Sequence, residues 1–87
     1  MNALSQIAAI ADLARPNEME DDAGRIIDVA TAGLRGSPAF GQAHTALLIA
    51  RGVALHALQP GTSIEDGIAA IRSLSWALGT LPSPAHA

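Results

Sequence analysis

SPAFGQAHTALLIARGVALHAL, Ser37 to Leu58, is the stretch that decides the architecture of this chain. Ser37 reads as a helix cap and Pro38 as the first helical residue, where a fixed φ and a missing N–H suit initiation. Pro60-Gly61 stops the segment, so the spacing predicts a helix over about 38–58. On a wheel Phe40, Ala43, Leu47, Ala50, Ala54 and Leu58 share one face. Leu48 and Leu55 widen it on one side, and Ala46, Val53 and Ala57 on the other. Gly41, Thr45, Gly52 and His56 leave a narrow, barely polar strip. A helix that is apolar nearly all round is a buried helix, so this third segment is expected to be central.

Working outward, three further helical segments flank it. Upstream, Asn17 and Glu20 have capping-box spacing, and Glu18, Glu20, Asp21 and Asp22 crowd a first turn where exposed amides favour acids. Met19, Ala23, Ile26, Ala30 and Leu34 follow as an apolar stripe, with Arg35 in the last turn and Gly36 as the C-terminal cap. That predicts a helix over about 18–35. The first segment, about 2–15, carries Leu4, Ile7, Ala11 and Ala14 at helical spacing, with Ile10 alongside, and stops at Pro16. Downstream, Thr62 and Glu65 repeat the capping-box spacing ahead of a helix over about 63–79. There Ile64, Ile68, Ile71, Ser75 and Leu78 face one way, with Leu74 beside them. Short connections force antiparallel neighbours, so the expected fold is all-α: one domain over 1–81 in a compact four-helix arrangement. The last residues, 82–87, read as a flexible tail.

Composition bounds the function. The 87 residues are 49% hydrophobic and 15% charged, too apolar for a natively disordered chain. A domain this small buries only about 60% of its unfolded surface, so its stability margin is thin. There is no cysteine for disulfide or thiolate chemistry. Five arginines, no lysine and eight acids leave a formal charge of −3, which argues against a nucleic-acid backbone as main partner. The N-terminus lacks the basic start and apolar run of a signal peptide, and Ala43 to Leu58 is interrupted by His44, Arg51 and His56. The expectation is a soluble, cytoplasmic protein without a membrane span.

Reactive constellations are sought and not found. His44 and His56 stand twelve residues apart on one helix, about 18 Å at the standard rise, so they cannot share a metal. The acids from Glu18 to Asp22 lack the alternating oxygens and central glycine of a calcium loop. No serine has nucleophile-elbow glycines, and the glycines follow no phosphate-loop pattern. The expectation is no enzyme, no metal and no cofactor.

What remains is surface. Trp76 lies off the Ile64–Ile68–Ile71 stripe, on the side shared by Ala69, Arg72 and Ser73. Tryptophan and arginine are enriched where proteins bind each other, so these four form one candidate partner-binding group. The competing reading has Trp76 covering the ends of the first two helices. Glu18, Asp21 and Asp22 form a second candidate, an acidic patch for a basic protein surface. Leu48 and Leu55, with Arg51 and His44, make the strip of the third helix expected to meet a second subunit, giving a homodimer.

The expected function is a small non-enzymatic protein-binding module, an inhibitor, adaptor or regulator of an unidentified protein partner. Phage-encoded inhibitors of bacterial defence systems have this general character, although no motif places the chain in a family. The alternative is a dimeric, helix-turn-helix-like DNA-binding regulator or antitoxin over Val53–Leu78. Its recognition helix would open with Ser63, Ile64, Glu65 and Asp66, and Arg72 would be its one cation.

Overall fold

A computed structural model describes residues 2–36 and 41–79. Those residues form four helices: α1 (Ala3–Asp12), α2 (Met19–Gly36), α3 (Gln42–Ala57) and α4 (Ile64–Gly79), with a 3-10 turn at Pro16–Glu18. Among the described residues there is no strand. The all-α four-helix reading therefore holds; α1 is shorter than the sequence suggested, and α2 keeps its expected length, shifted by one residue. Ser37, Pro38, Phe40 and the tail 82–87 lie outside the described residues.

Local chemistry explains the helix ends. Asn2 caps α1 by accepting the Ser5 N–H at 2.8 Å. The helix ends at Leu13 rather than Arg15, because Arg15 is already extended ahead of Pro16. Pro16 then does more than stop a helix: it opens the 3-10 turn that runs directly into α2. Asn17 is thereby inside a turn, so the expected Asn17–Glu20 capping box does not start α2. At α4 the cap is one residue later than expected. Ser63 Oγ accepts the Asp66 N–H at 3.1 Å, whereas Thr62 Oγ1 donates to the His56 carbonyl at 3.0 Å and closes the preceding turn.

The chain alternates direction. Around the square, α1 touches α2 and α4, α3 touches the same two, and the diagonal pairs meet little. Close approach is built from small residues at two glycines. A Cβ on Gly33 would come 2.9 Å from the Ala3 Cβ and 3.0 Å from Leu47 Cδ1; one on Gly67 would come 2.6 Å from Met19 Sδ and 3.3 Å from the Ala57 carbonyl oxygen. These contacts also fix the ends. The starts of α2 and α4 and the close of α3 share one end of a body measuring 38 × 21 × 19 Å.

The core is mostly alanine. Ile7, Ile26, Ile71 and Leu74 are its largest fully buried side chains, surrounded by Ala11, Ala23, Ala30, Ala50 and Ala54. Each such isoleucine or leucine contributes about 1.5–3 kcal/mol, whereas a buried alanine offers little area and tight helix spacing instead.

The expected stripes of α1 and α2 are the buried ones, but α3 differs. It is one of the four corners, not an enclosed central helix. Its inward face runs Ala46, Leu47, Ala50, Ala54 and Ala57, while Ala43, Leu48, Ile49, Leu55 and Leu58 are exposed. Packing against α2 and α4 selects the small side chains for contact and turns most of the large ones outward. On α4, Ile64 likewise leaves the core stripe and is exposed.

Candidate functional site

Ala69, Arg72, Ser73 and Trp76 recur at three- and four-residue spacing, so α4 sets all four on its outward surface. All four are exposed, and Trp76 retains 75% of its accessible surface. The tryptophan therefore covers no helix end. Arg72 is committed within the chain. Its Nε and Nη2 both donate to the Ala14 carbonyl oxygen, at 3.2 and 3.1 Å, just beyond the end of α1. Ser75 Oγ approaches Asp12 Oδ1 at 3.5 Å on the same seam, and the Ser73 hydroxyl donates to the Ala70 carbonyl at 2.6 Å. Arg72 thus orients the α1–α4 pair, and Trp76, one turn on, stands beside that seam with its indole in solvent.

The acidic candidates divide. Glu18 and Asp21 are exposed, as is Glu20, and with Asp28 they border an open hollow that reaches Leu58. Asp22 is not a solvated acid: its residue is 6% exposed. Its Oδ1 lies 3.7 Å from Arg25 Nη1, and its Oδ2 meets no donor among the described residues. The wheel carries the signal for this, since Asp22 shares a face with Met19 and Ile26.

His44, Leu48, Arg51 and Leu55 do come together on one outward strip of α3. Leu48 and Leu55 are 49% and 43% exposed, Arg51 is exposed, and His44 is half-buried with its Nδ1 unpartnered among the described residues. Sequence reasoning missed the opposite flank of α3. There Ala46 and Ile49 face Leu74, Ala77 and Leu78 of α4 across a half-open apolar groove of about 260 Å³. The alternation of α3 and α4 contacts that makes it has no local signal. Leu13, 73% exposed at the end of α1, was also missed.

Trp76 and the Leu48–Leu55 strip do not form one surface. Arg72, on the Trp76 side of α4, reaches α1, whereas Ala77 and Leu78 face α3. On α3, Ile49 faces α4, and Leu48 is about 100° round the helix from it, towards α2. The two surfaces therefore lie on opposite sides of the four-helix square.

Among the described residues no three histidine, aspartate or glutamate side chains gather as a metal-ligand group, and no helix is long and apolar enough to cross a membrane. Compared with family models, curated proteins and solved structures, the chain matches none.

Proposed function

We propose that this chain is a non-enzymatic protein-binding module, acting in the cytoplasm as a homodimer. It inhibits, links or regulates a partner protein by occupying that protein's surface. The observation that carries the reading is the solvent exposure of Trp76. From the 150–250 Å² that an aromatic side chain offers, its 75% exposure leaves about 190 Å² in water. Fully covered, that area is worth up to about 4–5 kcal/mol, within the range of a binding hot spot. The ground around it is small and adaptable, with exposed Ala69 and Ser73 on the same helix. The second component is the exposed Leu48 and Leu55 strip on the far side, which supports pairing between copies. The DNA-binding alternative has no observation in its favour, since Glu65 and Asp66 stand exposed at the first turn of α4.

The test is capture of host protein on immobilised wild type, Trp76→Ala and Leu55→Glu chains. A host protein held by wild type and Leu55→Glu but lost with Trp76→Ala supports the reading. Equal capture by Trp76→Ala overturns the role of Trp76. The homodimer is tested by sedimentation, and a monomer at several hundred micromolar would remove it.

A further inference from the structure

The hollow along the start of α2 holds more acid than helix chemistry asks for. Glu18, Glu20 and Asp21 stand where the free amides of a first turn favour carboxylates. Asp28 lines the same hollow from the third turn of α2, beyond the reach of those amides. Asp22 lies deeper. It is the one buried residue among those lining the hollow, 6% exposed, and its Oδ2 meets no donor among the described residues.

A carboxylate oxygen withdrawn from water without a donor destabilises the chain that holds it. The nearest cation answers it poorly. Arg25 Nη1 stands 3.7 Å from Asp22 Oδ1, beyond hydrogen-bond distance, and the Arg25 side chain is 66% exposed. In this one concavity five carboxylates, those of Glu18, Glu20, Asp21, Asp22 and Asp28, meet a single guanidinium. Clustered charge of one sign in a concave surface draws in the opposite sign.

We propose that this hollow docks a basic segment of a partner protein, one arginine of which displaces Arg25 and donates to Asp22 Oδ2. Arg25 is then an internal stand-in for the partner's cation. From Glu20 to Asp28 the hollow follows α2 for about 12 Å, the length of about four residues of extended chain. A second basic side chain of the segment therefore reaches Asp28 while the first holds Asp22. Leu58, exposed at the margin, takes the methylene stem of such a side chain. The planar fork of arginine suits carboxylates spread along a groove. A bare divalent ion does not suit them, because among the described residues no three acids converge as ligands. The inference rests on the protein-binding reading above and adds a second surface, on α2, with a partner chemistry of its own.

The probe is a terminally blocked tetra-arginine peptide, titrated by calorimetry into the full-length chain. Salt is held at about 0.15 M, where charges more than about 8 Å apart are largely screened. Circular dichroism first confirms that each variant is folded. Wild type binds with a dissociation constant below about 1 mM, and Asp22→Asn and the exposed Asp28→Asn each weaken binding about tenfold. Arg25→Gln strengthens it several-fold, because the internal competitor is gone. Glu65 is an acid at the same end of the body but outside the hollow, so Glu65→Gln changes the affinity by less than about twofold. Equal weakening by Glu65→Gln and Asp28→Asn, or weaker binding by Arg25→Gln, would mean a diffuse acidic field and overturns the site. So would no measurable binding of the peptide, or spermidine or calcium ion binding as tightly as the peptide. Trp76→Ala binds the peptide as wild type does, so failure at the hollow leaves the Trp76 surface standing.

Discussion

Arg72 and Trp76 sit one turn apart and face outward together, and replacing each should have opposite consequences. In Arg72→Met the guanidinium that donates twice to the Ala14 carbonyl oxygen, at 3.2 and 3.1 Å, is lost. Hydrogen bonds involving a charged partner contribute about 1.5–3 kcal/mol, and partial exposure of this pair brings the expected loss to about 1–2 kcal/mol. For a chain of 87 residues each kcal/mol moves the melting temperature by about 4–8 °C, so Arg72→Met should melt about 5–15 °C lower. Arg72→Lys keeps the charge but not the fork, and should recover part of the loss. Trp76→Ala removes a side chain that is 75% exposed, and should change stability by less than about 0.5 kcal/mol. Thermal melts followed by circular dichroism decide the matter. An Arg72→Met protein as stable as wild type, or a Trp76→Ala protein that loses 2 kcal/mol or more, would refute this division into a clamp and a free surface.

Three further outcomes follow from the packing. Gly67→Val should cost about 1–3 kcal/mol in urea denaturation, because the Ala57 backbone oxygen near its Cβ cannot retreat as the end of Met19 can. Gly52→Ala should raise the stability of the chain by about 0.5–1 kcal/mol in thermal melts, since nothing lies within 4 Å of the new methyl. Ser63→Ala should cost about 1 kcal/mol in thermal melts and Asn17→Ala much less, as Ser63 receives the Asp66 amide and Asn17 lies within a turn.

How much of this was legible depends on where polar residues stand. In α2 the acids other than Asp22, together with the arginines, leave one apolar stripe, so the rotation of the helix is clear and Ala23, Ile26 and Ala30 are buried as the pattern implies, with Asp22 carried in beside them. In α3 nearly every position is apolar, and the wheel cannot choose among rotations. Tight packing between neighbours makes the choice, favouring Ala46 and Ala57 over Ala43 and Leu58. The start of α4 was ambiguous for a different reason. Thr62 and Ser63 are both hydroxyls with an acid three residues on, and only the backbone path from Pro60 separates them. The candidate groups around Trp76 and Leu48 were visible as helical spacings. The bond from Arg72 to Ala14 spans 58 residues and leaves no local trace.

The account turns on whether the indole of Trp76 is the point of attachment to another protein. Titration of the captured host protein against wild type and Trp76→Ala, by calorimetry at equal folded concentration, measures this directly. A weakening of roughly 30-fold or more, the loss of about 2 kcal/mol expected of a hot spot, is the predicted result. An affinity unchanged within about threefold would contradict it.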